Sequence, residues 1–126
     1  MRYMLLMHNT EESVETIGAE KIEAGQAAFT VYTATLAKAG VLVSADALQP
    51  TANTTTLRIA DGSLLVQDGP FADTKEQLGG VIVIDVSNLD AAIDWARQAP
   101  PVQWGGAVEI RPGGAYTVDG VWVANG

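Results

Sequence analysis

The segment QDGPFADTKEQLGG, residues 67–80, combines carboxylates, a lysine and turn-forming residues in a short space. Asp68, Asp73 and Glu76 follow one another closely, and Lys75 stands beside the last of them. Carboxylates that face a cleft can act as general acids or bases, or can anchor a polar ligand. Asp68 is therefore a candidate catalytic residue, and the other three charged residues are candidate ligand-binding groups.

The same segment can also be explained as a folded connector without chemistry. Asp68-Gly69-Pro70 is a typical turn sequence, since glycine adopts unusual φ angles and proline fixes its own. Thr74 to Gln77 matches a capping box, which predicts a single helical turn ended by Gly79. Phe71 is apolar, and we expect it to anchor the loop in the core.

His8, the single histidine, follows the first predicted strand. Histidine is the side chain that most readily exchanges a proton near neutral pH, so we consider His8 with Asp68 as a candidate acid–base pair. A structural histidine at a strand end is the alternative. No second histidine at helical spacing and no cysteine accompanies His8, so we predict neither a metal site nor a cofactor.

Two arginines on predicted strands, Arg58 and Arg111, are candidate ligand-binding residues because a guanidinium can clamp an anionic ligand. Glu109 is expected to pair with one of them. Solvated salt bridges on the strand surfaces are the alternative explanation. The three tryptophans are assigned to packing rather than to a stacking platform: Trp95, Trp104 and Trp122.

Composition predicts one folded domain covering residues 1–126, because 48% of them are hydrophobic and only 17% charged. The net charge of −8, from 15 acidic and 7 basic residues, argues against a nucleic-acid partner, which would need clustered cations. The sequence contains no apolar run of membrane-spanning length, so no membrane association is predicted. We expect a cytoplasmic protein.

The elements that must position these residues are two helices and several strands. In chain order, we predict a strand at 2–8, a helix from about 19 to 39, a strand from 41 leading into a loop closed by Pro50, a hairpin at 54–69, a strand at 79–86, a helix within 87–101, a strand at 106–112 and a hairpin at 115–124. Gly40 and Pro100-Pro101 are typical of helix ends. Asp61-Gly62 and Asp119-Gly120 are typical of tight hairpin turns. The expected buried helix faces are Ile22, Gly25, Phe29, Tyr32, Leu36 and Ala39 in the first helix, and Leu89, Ala92, Ile93 and Ala96 in the second.

This order predicts an α+β fold, a ferredoxin-like split βαβ sandwich with both helices on one side of an antiparallel sheet. The uncovered face of such a sheet should alternate with polar residues, yet VIVIDV (81–86) and YMLLM (3–7) are apolar on both faces. We therefore expect a homodimer whose sheets face each other across a cleft. Covering by the C-terminal hairpin, with Tyr116 and Trp122, is the alternative.

The segments DGPFADTKEQLGG, GVLVSADALQP and VIVIDVSNLDAAIDWA, followed by VEIRP, resemble the DGPF branch of the YCII-related family. The resemblance covers residues 1–112 and leaves 113–126 as a hairpin extension. It implies a bacterial protein and a dimeric α+β barrel of ferredoxin-like subunits, and some members are linked to extracytoplasmic-function sigma factors. YciI-like relatives join a histidine and an aspartate in the cleft, but Phe29 stands at that histidine position here.

Two functions follow from these observations. The first is a small-molecule-binding or accessory dimer, with a possible role in sigma-factor regulation. The alternative is an enzyme that performs acid–base chemistry on a small polar metabolite, with His8 and Asp68 as the reacting groups. We favour the first because Phe29 replaces the histidine of the implied pair.

Overall fold

The computed structural model describes residues 1–12 and 14–126. The strands described are β1 (Arg2–Asn9), β2 (Leu42–Ala47), β3 (Thr55–Ala60), β4 (Ser63–Asp68), β5 (Gln77–Asp85), β6 (Ala107–Pro112), β7 (Ala115–Val118) and β8 (Val121–Ala124). The helices are α1 (Val14–Ile17), α2 (Ala19–Lys38), α3 (Leu89–Ala96) and α4 (Pro100–Gln103), with a 3₁₀ turn at Thr51–Asn53.

Four strands form the main sheet in the order β2–β5–β1–β6, and all neighbours are antiparallel. Leu5 lies opposite Ile82 on one side and Ile110 on the other, so side chains form rows across the sheet. The predicted α+β class with an antiparallel sheet is thereby confirmed. Within the described part of a single chain, the sheet does not close into a barrel.

The helices cover one face of this sheet. Its buried strand residues are Tyr3, Leu5, Met7, Ile82 and Ile84, and the helices add Tyr32, Leu36, Ala92 and Ala96. The Tyr32 hydroxyl donates a 2.8 Å hydrogen bond to the Trp95 carbonyl oxygen, which joins α2 to α3. Burial also raises the pKa of Tyr32 to about 12. This layer is the core that the sequence pattern predicts.

The predicted buried face of α2 is confirmed only in its C-terminal half. Tyr32 and Leu36 are buried, whereas Phe29 is half-buried and Ala39 is exposed. The N-terminal half of α2 packs against Trp104 instead of the sheet. The close approach is shown at Gly25, where an added Cβ would lie 3.2 Å from the Trp104 ring. Helical periodicity identifies a face, but the sheet covers only the part that it reaches.

The predicted face of α3 is partly wrong. Ala92 and Ala96 are buried as expected, but Leu89 is 48% exposed and Ile93 is 38% exposed. The two small residues bring the helix backbone close to the sheet, which leaves the longer aliphatic side chains at the margin. Asn88 caps the N-terminus of this helix, because its side chain accepts a hydrogen bond from the Ala91 N–H.

Pro100-Pro101 was expected only to stop the preceding helix, yet both prolines begin α4 and are buried. Proline suits the first helical turn because its missing N–H needs no partner there and its φ is already helical. The short helix ends at Trp104, and the chain then turns through Gly105 and Gly106 into β6. A Cβ on Gly106 would collide with the His8 carbonyl oxygen.

The two predicted hairpins form separate two-stranded sheets, β3–β4 and β7–β8. Their turns hold Asp61-Gly62 and Asp119-Gly120, and all four residues have positive φ between 49° and 78°. Such angles are required at both central positions of a type I′ turn, which twists in the sense of the strands. Both predicted turns are confirmed.

Candidate functional site

The sheet face opposite the helices carries a half-buried apolar strip flanked by polar edges. Across one row of the sheet, Leu6 lies between Val81 on β5 and Glu109 on β6. In the next row, Met4 lies between Val83 and Arg111. We call this surface the open face and define it by the apolar strip Met4, Leu6, Val81 and Val83. Its apolar centre agrees with the sequence pattern, which lacks polar alternation.

His8 lies at the end of the open face, where its Nε2 is 2.6 Å from Glu109 Oε1. The contact is within ion-pair distance but is not aligned as a hydrogen bond, since Nε2 is buried without such a partner. Among the described residues, no ion pair joins His8 to Asp68. The expected partner of Glu109 was an arginine, and the structure places the imidazole there instead.

The charged segment between β4 and β5 is solvent-exposed. Asp68 ends β4 opposite Thr55, and the side chains of Asp73, Lys75 and Glu76 are exposed. The structure brings none of them into a described ion pair. Their candidate roles therefore stay predictions.

The predicted single helical turn in this segment is wrong. The Thr74 hydroxyl donates to the Glu76 carbonyl oxygen at 2.6 Å, and the Gln77 amide donates back to the Thr74 carbonyl oxygen at 2.5 Å. These bonds close a bend that leads directly into β5 at Gln77. A side chain that bonds its own neighbourhood competes with helix formation in this way.

The prediction that Phe71 anchors the loop in the core is also wrong, since 73% of this residue is exposed. Its ring lies 4.4 Å from the Arg58 guanidinium carbon, a cation–π contact on the surface of the β3–β4 hairpin. Arg58 therefore belongs to the hairpin, whereas Arg111 belongs to the main sheet. Within the described chain, the two candidate ligand-binding arginines therefore lie on different surfaces.

Two cavities flank Phe29 and share Asn9 as a second lining residue. The first, of about 330 Å³, lies between α2 and the strands β2 and β5, and includes Thr30, Thr33 and Asp46. The second, of about 860 Å³, lies between the N-terminal half of α2 and the loop after α4. Its polar and aromatic lining includes Thr10, Glu12, Lys21, Gln26 and Trp104.

Asn9 occupies the junction of these cavities. Its amide lies between Gly79 and Gly106, and among the described residues that amide makes no hydrogen bond. Strand β1, which Asn9 ends, is irregular at Met7/His8, where its register with β5 shifts. Bulges of this kind re-aim side chains and are frequent beside functional sites. Asn9 thus offers both a donor and an acceptor to the cavities.

The lining of the larger cavity is suited to binding an amphipathic molecule. Phe29 and Trp104 meet edge to face with ring centroids 5.9 Å apart, which provides a firm aromatic wall. Lys21 and Glu12 add one charge of each sign, and Asn9 adds an amide. Apolar walls with a few polar groups are typical of small-molecule sites.

Sequence reasoning named Phe29 as a buried helix residue and as a replaced histidine position, and missed Asn9, Lys21 and Glu12 as candidate site residues. The available signal was weak: a polar residue ending the first strand, and the pair Gly105-Gly106 ahead of β6. The described residues contain no group of three or more carboxylates and histidines placed to hold a metal ion. None of the described helices combines the length and apolar character needed to cross a membrane.

Comparison with known proteins relates the chain to one family. The family model described as "YCII-related domain" matches residues 1–112, which end with β6. An uncharacterized protein of Rhizobium meliloti (strain 1021) is 37% identical over 119 residues, which cover 92% of this chain and 94% of the relative. The chain therefore belongs to the YCII-related family.

Proposed function

We propose that the protein binds a small amphipathic molecule in the two cavities beside Phe29, and that it does so as a homodimer. The observation that supports this proposal best is the free amide of Asn9, which reaches the junction of both cavities. A polar group near an apolar site is stabilised when a ligand completes its hydrogen bonds. Asn9 would orient the ligand, and the rings of Phe29 and Trp104 would contact its apolar part.

Binding is favoured over catalysis by the chemistry of the lining. Asn9, Thr30 and Thr33 supply hydrogen-bonding groups to the smaller cavity and Asp46 is its carboxylate, whereas His8 lines neither cavity and lies against Glu109. Phe29, which stands where the resemblance implies a histidine, cannot transfer a proton. The lining thus supplies recognition rather than a nucleophile activated by a base.

The homodimer is supported by the open face. Met4, Leu6, Val81 and Val83 expose part of an apolar strip that a second sheet would cover. The strand order β2–β5–β1–β6, with α2 and α3 on the other face, suits a ferredoxin-like subunit that pairs into an α+β barrel. A role in sigma-factor regulation stays a prediction from the family resemblance.

A thermal-shift screen with small aromatic and polar metabolites tests the binding proposal. Thr30→Trp places a bulky ring at a lining position of the smaller cavity, and Gln26→Trp does so for the larger one. Compounds that raise the melting temperature of the wild-type protein by a few degrees should lose that effect in at least one of these variants.

Thr35→Trp is the matched control, because Thr35 is also exposed on α2 and also donates to the carbonyl four residues back, yet lines neither cavity. His8→Ala is a second control, which binding should survive. Compounds that stabilise both cavity variants as strongly as the wild type would refute a site beside Phe29.

An acid–base enzyme is the second candidate function, favoured by the 2.6 Å approach of His8 to Glu109 at the end of the open face. In that function His8 transfers the proton and Asp68, supplied across the dimer cleft, is its expected partner. Conversion of a screened metabolite that is lost in both His8→Gln and Asp68→Asn would support it. Conversion that persists in both variants would exclude these two residues.

A further inference from the structure

The β3–β4 hairpin has one face made of large aliphatic side chains. Leu57 lies opposite Val66 and Ile59 opposite Leu64, so all four project to the same side. Each is between 59% and 71% exposed. A two-stranded hairpin is marginally stable without a layer against its apolar face. Within the described chain, no layer buries this surface.

The hairpin is held firmly at its base rather than along its length. Both carboxylate oxygens of Glu11 accept hydrogen bonds from Thr51, one from its N–H at 2.8 Å and one from its hydroxyl at 2.9 Å. The Gly69 N–H donates to the Thr54 carbonyl oxygen at 2.8 Å, which closes the hairpin at the same point. The two strands therefore form an arm that leaves the main sheet after β2 and returns to it at β5.

We propose that this arm docks on a second copy of the chain, with its aliphatic face against the partner subunit. The proposal rests on the homodimer proposed above and extends it, because the arm leaves the main sheet after β2 and returns to it at β5 with its aliphatic face exposed. One chain thus carries two apolar surfaces, the open face and the aliphatic face of the arm, that its described residues do not fully bury. In an isologous contact, a twofold axis relates the two copies, so the open face and the arm of each copy are buried by the same interface.

The required area also indicates a second copy. A four-stranded sheet of this length presents a face of about 440 Å², from strand spacings of about 4.8 Å and rises of about 3.3 Å per residue. That is short of the roughly 800 Å² per partner found in stable interfaces. One donated arm and one received arm, at about 200 Å² each, bring the contact near that value.

Charge favours the same occupant. The aliphatic face of the arm carries a single ionisable group, Asp68, at its base opposite Thr55. The open face offers Arg111 beside Met4. Two copies of a chain with net charge −8 would repel through their surfaces generally, so the cation Arg111 reduces that repulsion, whereas Glu109 on the same face already lies against His8.

A charged pair on the aliphatic face tests the arm while preserving the hairpin. Ile59→Lys combined with Leu64→Glu places opposite charges directly across the strands, which supports the pairing but prevents apolar docking. The matched control is Arg58→Glu combined with Leu65→Lys, a directly opposed pair on the other face of the same strands. Circular dichroism of each variant reports whether the domain stays folded.

Sedimentation velocity over a concentration series measures the dimer dissociation constant. We expect the aliphatic-face variant to raise that constant by about 30-fold or more, and the control variant to change it by less than about threefold. Hydrogen exchange at the β3–β4 amides should also slow when the wild-type protein is concentrated above its dissociation constant.

The possible failures are distinguishable. A wild-type protein that stays monomeric at 
about 100 μM, a concentration at which specific interfaces normally form, would refute the homodimer and the arm together. A wild-type dimer whose dissociation constant is unchanged by Ile59→Lys with Leu64→Glu would refute the arm alone. Concentration-independent exchange at the hairpin amides would lead to the same conclusion.

Discussion

The covered face of the main sheet and the aliphatic face of the β3–β4 arm are built from the same kind of residue pair. Leu5 and Ile82 lie opposite each other and are 0% and 3% exposed. Leu57 and Val66 also lie opposite each other and are 62% and 59% exposed. Strand formation is therefore alike in the two regions, and only the presence of a covering layer differs.

The difference shows that the burial of a strand pair depends on the layer that packs against it and not on the strand residues alone. In the main sheet, α2 and α3 follow their strands along the chain and return over one face. In the arm, the connecting segment 69–76 runs along the surface, and its Phe71 contacts Arg58 rather than the aliphatic face. If the arm docks as proposed, a partner supplies the stabilisation that the sheet obtains from its own helices.

The largest expected effect comes from comparing a leucine on the covered face of the main sheet with a leucine on the aliphatic face of the arm. Leu5→Ala should lower the free energy of unfolding by about 3–4 kcal/mol, because it leaves a cavity in a filled core. Leu57→Ala, measured at a concentration at which the chain is monomeric, should lower it by less than about 0.5 kcal/mol. Urea denaturation measures both. Equal losses would mean that the arm is already covered within the single chain.

A second effect tests the cover of the main sheet through pH. The pKa of Tyr32 is raised by burial from 10.0 to about 12, so the folded chain keeps its proton where the unfolded chain has lost it. The corresponding stability is fully present below pH 10 and is lost as pH rises through 12, an amount of about 2–3 kcal/mol.

Tyr32→Phe isolates this contribution. We expect the variant to be less stable by about 1 kcal/mol at pH 7, since the Trp95 carbonyl oxygen loses its donor. Between pH 10 and pH 12 its unfolding free energy should fall less steeply than that of the wild type. Parallel curves for the two proteins over this range would contradict a buried phenol.

Close packing within the sheet gives the third effect. A Cβ on Gly80 would lie 2.9 Å from the Asp46 carbonyl oxygen on β2, so Gly80→Ala must displace one strand at a cost of about 1–3 kcal/mol. Gly114→Ala is the control, because no heavy atom lies within 4 Å of its Cβ position. A Gly80→Ala protein as stable as the control would show that β2 is loosely held.

The smallest expected effect concerns the N-terminal caps of α3 and α2, the helices that cover the main sheet. Asn88→Ala removes the side chain that caps α3 and should lower the unfolding free energy by about 1 kcal/mol. Helix α2 begins at Gly18 without a side-chain cap, so Gly18→Ala removes no capping hydrogen bond and provides a comparison that isolates its positive φ of 85°. Thermal denaturation measures both, and an unchanged melting temperature for Asn88→Ala would contradict the cap.

Much of the fold could be predicted from residues whose preference is local. Asp61-Gly62 and Asp119-Gly120 fix their turns because only such residues tolerate two successive positive φ angles. Asn88 caps its helix by the same local logic. Predictions failed where other contacts compete with the expected structure: Thr74 bonds Glu76, two residues away, instead of beginning a helix, and Phe71 meets Arg58 instead of the core.

The candidate site was predictable only in part. His8 could be recognised as a proton-transfer group by its type, but its partner Glu109 follows from the register of β1 against β6, a pairing between distant parts of the chain. Asn9 gives no sequence signal, because an asparagine at a strand end is ordinary. Its exposure to two cavities arises from the approach of Gly79 and Gly106.

Residue order by itself determined the main strands, the two longer helices and the tight hairpin turns, and that the central strands are apolar on both sides. Such features follow from φ preferences and side-chain periodicity, which act over a few neighbours. Packing in three dimensions decided which apolar surface the helices cover, which carboxylate reaches the imidazole and where a cavity opens. Those outcomes depend on contacts between residues far apart in the chain, and no short-range rule encodes them.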